Sequence, residues 1–104
     1  IMIASSQNVE IYGNTLEDNY NGIAMTRQNR GTGAYGLWTL ANNYVHDNTV
    51  IDSGKTGAAQ DVHSDAIYSS NLRFENNTYS GTSSWFWLNR ERSWSEWNSY
   101  GHDD

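Results

Sequence analysis

One six-residue pattern occurs three times in this chain and constrains its fold more than any other feature. The pattern reads apolar, polar, small or polar, Asn, Thr, apolar, and it occupies residues 11–16, 45–50 and 74–79. The three Asn residues are 34 and 29 residues apart. Spacings of this size are typical of repeat proteins, in which each repeat is one supersecondary unit stacked on the next.

A second recurring segment completes each repeat. Short apolar segments occupy residues 1–4, 22–25 and 84–88, and residues 67–72 resemble residues 3–9 with one residue fewer. Each repeat therefore reads as a short strand, a polar turn, a second short strand, an Asn-Thr corner and a turn. Short strands with alternate residues facing inward are typical of a solenoid. The sequence predicts an all-β parallel β-helix of about three to four coils.

The Asn residues of the pattern have a specific expected role at the corners. Asn tolerates a left-handed backbone better than most residues. Stacked coils would place equivalent side chains about 4.8 Å apart, so that their amides could hydrogen-bond along the stack. We therefore predict a ladder of Asn14, Asn48 and Asn77. The alternative is that these are ordinary turn residues without such a ladder.

The C-terminal residues predict a cap over the end of the coils. Ser93 and Glu96 have the spacing of a capping box, which places a short helix after Ser93. Trp94 and Trp97 on that helix would close the core, since the open end of a solenoid requires cover. The predicted organisation is coils over residues 1–88, with an inserted loop at 26–36, and a cap over residues 89–104.

Composition excludes some partners. Six Lys and Arg against twelve Asp and Glu give a net charge of −6, which disfavours nucleic acid and anionic membranes as partners. No apolar run approaches the roughly 20 residues that span a bilayer, and the chain has no Cys. Residues 1–4 read as the middle of a strand, so we expect a fragment boundary there. The uncovered first coil would then pair with missing upstream coils or with another copy.

The chain resembles secreted bacterial right-handed parallel β-helix repeat proteins of the pectate-lyase-like superfamily, specifically their C-terminal end. The residues that carry the resemblance are 56–62, 71–79, 86–87, 96–97 and 100–103. The resemblance implies a right-handed helix and a secreted, extracellular protein that acts on or binds polysaccharide. It implies lyase-type chemistry slightly ahead of glycoside hydrolysis, with catalysis in upstream coils and an inactive fragment. The alternative is a non-catalytic module, either carbohydrate-binding or a structural or adhesive solenoid.

The densest group of candidate catalytic residues is Asp61, His63 and Asp65. In a strand these three side chains would share one face. Two carboxylates and an imidazole could transfer a proton or bind a cation such as Ca²⁺, although the spacing lacks further metal ligands. The alternative, which we favour, is that Asp61 and Asp65 hydrogen-bond turn amides.

Two further segments carry candidate substrate-binding residues. In the inserted loop, Arg27 or Arg30 could pair with a uronate carboxylate, and Tyr35 and Trp38 could stack on a sugar ring. The alternative for this loop is a solvated connection. In residues 84–88, Trp85 and Trp87 would share one face of a strand and Phe86 would take the other. An exposed Trp pair would form a sugar-stacking platform, but such residues more often pack beneath a cap. The candidate set is Arg27, Arg30, Tyr35, Trp38, Trp85 and Trp87.

Overall fold

Short strands separated by tight polar turns make up most of the chain. The computed structural model describes residues 1–27, 32–33, 36–37, 40–60, 68 and 70–104. Within these residues the elements are β1 (Met2–Ala4), β2 (Glu10–Tyr12), β3 (Thr15–Glu17), β4 (Asn21–Arg27), β5 (Thr32–Gly33), β6 (Gly36–Leu37), β7 (Asn43–His46), β8 (Thr49–Ile51), β9 (Lys55–Gln60), β10 (Leu72–Glu75), β11 (Thr78–Ser80), β12 (Ser84–Trp87), β13 (Arg90–Arg92) and the helix α1 (Trp94–Ser99).

Strands from successive repeats lie side by side. The largest sheet has the order β1-β4-β9-β12-β13, and two three-stranded sheets have the orders β2-β7-β10 and β3-β8-β11. Both three-stranded sheets are parallel. Their register follows the sequence repeat, because Ile11, Val45 and Phe74 are neighbours in one sheet and Leu16 and its equivalents are neighbours in the other. We refer to β2–β3, β7–β8 and β10–β11 as the first, second and third repeat units.

The prediction of a right-handed parallel β-helix of three to four coils is wrong. The chain forms three small sheets and an antiparallel β5–β6 pair, and the largest sheet is mixed, so the molecule is a compact, mostly β globule. The mixed sheet arises at Leu88 and Asn89, whose φ angles are 53° and 56°. Two consecutive left-handed residues form a tight hairpin turn. The chain therefore reverses, and β13 runs antiparallel to β12.

Alternate residues of the strands face one apolar core. This alternation follows from the period-two direction of side chains along a strand. Complete burial of each large apolar side chain contributes about 1.5–3 kcal/mol. The buried apolar residues are Ile3, Leu16, Ile23, Met25, Leu40, Val45, Val50, Ala58, Leu72, Phe74, Trp87 and Trp97.

Left-handed residues turn the chain at each corner of a repeat unit. Gly13, Asp47 and Asn76 occupy equivalent positions with φ angles of 68°, 55° and 55°. Gly and Asx residues adopt this conformation at the lowest cost. The prediction of a left-handed backbone at the next residue, the Asn of each repeat, is therefore wrong. The following Asn is free to use its side chain between the units.

Asn14, Asn48 and Asn77 are joined by hydrogen bonds between successive units. The backbone N–H and Nδ2 of Asn14 donate to Oδ1 of Asn48 over 3.0 and 3.1 Å. The same two groups of Asn48 donate to Oδ1 of Asn77 over 3.1 and 3.0 Å. Asn48 and Asn77 are 1% and 7% exposed, so these bonds satisfy polar groups that water does not reach. We call this row the Asn ladder.

Asp103 ends the Asn ladder. Its Oδ1 accepts the backbone N–H and Nδ2 of Asn77 over 2.9 and 3.0 Å. Its Oδ2 accepts Tyr79 Oη–H over 2.8 Å and Trp97 Nε1–H over 3.0 Å. A carboxylate only accepts hydrogen bonds. Asp103 therefore satisfies four donors, and its side chain, unlike that of Asn, has no N–H group that would require an acceptor from a further repeat unit.

The predicted capping box is confirmed at the start of α1. Ser93 accepts the Glu96 backbone N–H, and the Glu96 side chain accepts the Ser93 backbone N–H. Of the two Trp residues expected to close the core, Trp97 is fully buried but Trp94 is 42% exposed. Next to Trp97 lies His102, which is 5% exposed. Burial lowers the pKa of His102 to about 4, which keeps its ring neutral at pH 7.

Candidate functional site

A shallow groove crosses the outer face of the largest sheet. Four strands contribute one row of neighbours, because Met2, Ala24, Gly57 and Phe86 are paired in register. The groove has a volume of about 220 Å³. We call it the sheet groove, and it is lined by Met2, Asn21, Ala24, Met25, Thr26, Lys55, Gly57, Ala58, Ala59 and Phe86.

Small residues keep the floor of the sheet groove flat. Ala24 and Ala59 project only methyl groups, and Gly57 has no side chain. A Cβ atom on Gly57 would collide with the backbone carbonyl oxygen of Phe86, and the φ angle of Gly57 is 147°. Only glycine adopts this conformation readily. A residue with a side chain at position 57 would thus push β9 and β12 apart and raise the floor.

Larger side chains with different chemistry stand at the two sides of this floor. Met2 is 61% exposed at one side. At the other side, the Nζ atom of Lys55 lies 5.6 Å from the centre of the Phe86 ring, a distance at which a cation is attracted to an aromatic face. Asn21 adds an amide beside Lys55, since the two residues are paired between β4 and β9. The groove therefore offers a flat apolar surface, one aromatic ring and one cation.

The structure decides which side of β12 faces outward. Trp87 is 5% exposed and packs against Phe74, Trp97 and His102. Trp85 faces the same way and packs on Tyr79 and Trp94. The Trp pair thus packs beneath the C-terminal residues and does not form an exposed sugar-stacking platform. Phe86, which was not among the candidates, is the aromatic residue of the groove.

The other predicted site residues are placed only in part. Arg27 ends β4 beside Gln60, and it is half-buried and does not line the sheet groove. The remaining candidates lie outside the described residues. They are Arg30, Tyr35 and Trp38 of the inserted loop and Asp61, His63 and Asp65 after β9.

A second group of functional side chains covers the outer face of the β2-β7-β10 sheet. The His46 ring stacks between Tyr12 and Tyr44, with centroid distances of 5.1 and 4.2 Å. The guanidinium of Arg73 lies 4.0 Å from the Tyr44 ring centre, and Tyr44 Oη–H donates to Glu75 over 2.7 Å. None of the residues in this cluster was among the predicted site residues. The alignment of the three repeats could have revealed the cluster. It places residues 10, 44 and 73 at one position and residues 12, 46 and 75 at another, and the strands pair in that register.

Two carboxylates hold the imidazole of this cluster. His46 Nε2 lies 2.7 Å from Glu10 Oε1, and His46 Nδ1 lies 2.6 Å from Asp47 Oδ2. Hydrogen bonds to Asp47 and to Glu10 raise the pKa of His46 above its ordinary value. A protonated ring donates through both nitrogens and satisfies both carboxylates. With both nitrogens engaged, His46 joins β2 to β7 and is not available to attack a substrate.

We expect stability to fall as the pH rises through the pKa of His46. In the pH interval above about 6.5, the usual value for histidine, the folded protein retains a proton that the unfolded chain has lost. The stabilisation is therefore complete below pH 6.5 and disappears above the raised pKa. Urea unfolding between pH 6 and 9 should show this loss in the unmodified chain and a flatter profile for His46→Gln.

Titration by NMR provides the direct check on these two histidines. The His46 ring should titrate above pH 6.5 and the His102 ring near pH 4. A His46 pKa at or below 6.5 would contradict the carboxylate pairing.

Within the described residues, no three His, Asp or Glu side chains converge as a metal site. The Asp61, His63 and Asp65 group proposed as a possible Ca²⁺ ligand set lies outside that part of the chain. No helix in the described segments is long and apolar enough to cross a bilayer. Comparison with models of protein families, with curated proteins and with solved structures found no match to this chain.

Proposed function

We propose that this chain is a non-catalytic module that binds an extracellular polysaccharide in the sheet groove. The observation that carries the proposal is the pairing of Lys55 with Phe86 above a flat floor of small residues. An aromatic ring stacks on the apolar face of a sugar, and the ammonium group attracts a carboxylate. We therefore favour a polysaccharide that contains uronic acids over a neutral one.

Binding fits the groove better than catalysis does. General acid–base chemistry requires a titratable group within hydrogen-bond reach of the reacting atoms. Lys55 is the titratable side chain among the described residues of the groove, whereas hydrolysis of a glycosidic bond typically uses two carboxyl groups. Lyase chemistry, which the family resemblance implies for a larger protein, would depend on other residues such as Asp61, His63 and Asp65.

Titration calorimetry with a galacturonate oligosaccharide tests this proposal. We expect binding that Phe86→Ala weakens about tenfold through lost stacking. Lys55→Gln should weaken it about two- to fivefold, since an exposed ion pair contributes roughly 0.2–1 kcal/mol. A neutral oligosaccharide should bind less tightly than the galacturonate, and the difference should shrink at high salt.

Two control variants separate the groove from the rest of the surface. Tyr20→Ala removes a ring that is 94% exposed and does not line the groove. Arg90→Gln removes an exposed cation from β13 of the same sheet. Both variants should bind like the unmodified chain. Equal weakening by Arg90→Gln and Lys55→Gln, or no binding of either oligosaccharide, would rule the proposal out.

A further inference from the structure

Side-chain oxygens of Asn and Ser residues join each repeat unit to the unit before it. At each junction, a side-chain oxygen of the later unit accepts a backbone N–H of the earlier one. Asn48 Oδ1 accepts the N–H of Asn14 over 3.0 Å, and Ser53 Oγ accepts the N–H of Asn19 over 3.2 Å. At the next junction Asn77 Oδ1 accepts the N–H of Asn48 over 3.1 Å. Each unit therefore presents acceptors toward the unit that precedes it.

The two ends of this array differ. After the third unit, Asp103 ends the Asn ladder and α1 covers the core. At the other end, Asn14 and Asn19 in and after the first unit are the equivalents of Asn48 and Ser53 in and after the second. Among the described residues, no donor reaches the Oδ1 atom of either one. The acceptors that join unit to unit are thus present at this end, and none of the described residues donates to them.

The backbone of the first unit is also open along the same edge. Among the strands of the described residues, β2 and β3 each pair on one side only, with β7 and β8. Tyr44 N–H donates to Val9 C=O, and Thr49 N–H donates to Asn14 C=O. Since alternate residues of a parallel strand point to opposite neighbours, the N–H groups of Glu10 and Thr15 point away from the second unit. We call β2, β3, Asn14 and Asn19 the open edge.

We propose that the open edge binds a polypeptide segment with this chain's own repeat pattern, added in parallel as one strand–turn–strand unit. The contact between the first two units defines the partner. Asn48 and Ser53, which have the same spacing as Asn14 and Asn19, accept hydrogen bonds from such a unit within this chain. Addition of a strand to a sheet edge is a common mode of peptide recognition. A second copy fits less well, because a two-fold contact between two open edges would pair their strands antiparallel, whereas the junctions between the repeat units are parallel.

The test uses a fluorescent peptide of residues 40–53, which spans the second unit, and the full chain. Fluorescence anisotropy should show binding that a scrambled peptide lacks, and NMR shift changes should fall on the open edge. Asn14→Ala removes the ladder acceptor and should weaken binding about fivefold, the effect of one hydrogen bond. Ser99→Ala, at the far end on α1, should leave binding unchanged.

Peptide chemistry tests the same contact without any change in the protein. In the docked peptide, the N–H of its Asn48 would donate to Asn14, whereas the N–H of its Thr49 would point away. Methylation of the Asn48 amide should therefore weaken binding about fivefold or more, and methylation of the Thr49 amide should not. Equal effects of the two methyl groups would overturn the proposal. So would shift changes on β10, β11 or α1, or self-association through the open edge in sedimentation experiments.

Discussion

Replacement of Trp97 by alanine should lower the free energy of unfolding by about 3–5 kcal/mol, as expected for a buried Trp whose cavity cannot fully collapse. Trp97 is fully buried. Its ring lies 5.0 Å from that of Phe74, 6.0 Å from Trp87 and 4.3 Å from His102. The substitution also removes the Nε1–H donor to Asp103. Urea denaturation followed by circular dichroism measures the loss.

Trp94 provides a matched control on the same helix. It is 42% exposed and contacts Tyr79 and Trp85 at the edge of the cap. Trp94→Ala should therefore cost only about 1 kcal/mol, the scale of an exposed aromatic contact. If both variants lost the same stability, Trp97 would not be the residue that closes the core.

Replacement of Asp103 by alanine should cost about 3–4 kcal/mol, because it leaves buried donors without an acceptor. The affected groups are the N–H and Nδ2 of Asn77, Tyr79 Oη–H and Trp97 Nε1–H. The pKa of Tyr79 is raised, mainly by burial and to a smaller extent by the negative charge of Asp103. The hydroxyl therefore stays protonated and donates its hydrogen bond. Unfolding by urea at pH 7 measures this loss.

Two further variants identify the cause of the Asp103 effect. Asp103→Asn keeps the Oδ1 acceptor for Asn77 but places an amide near Tyr79 and Trp97, so it should lose about half as much stability. Asp104→Ala removes the exposed neighbouring carboxylate and should change stability by less than about 0.5 kcal/mol. A large loss for Asp104→Ala would mean that net charge, and not the closure of the Asn ladder, accounts for the result.

Several features could be predicted because contiguous residues encode them. The six-residue pattern at residues 11–16 and its recurrence at 45–50 and 74–79 predicted which strands are neighbours and in which register. The Ser93 and Glu96 capping box was predicted for the same reason, since its hydrogen bonds join residues three apart. The same alignment could also have revealed the His46 cluster. In a parallel sheet, the register that pairs the apolar residues of the repeats also pairs the polar residues next to them.

Other features depended on contacts that no local pattern encodes. Trp85, Phe86 and Trp87 are all apolar, so alternation allowed either face to be inward until packing against Trp97 and His102 decided it. Reversal of the chain at Leu88 was also unpredicted, because a left-handed Leu has no sequence signature. That reversal makes the largest sheet mixed and overturns the expected solenoid.

The sequence by itself determined the local geometry of this protein, and tertiary structure determined where distant groups meet. Repeat spacing and side-chain alternation can be read along the chain, because the periodicity of apolar residues predicts which face of each strand is buried. By contrast, Asp103 meets Asn77 across 26 residues and His46 meets Glu10 across 36. Such hydrogen bonds depend on atoms placed within about 3 Å, and only the packed arrangement of strands and helix α1 supplies that precision.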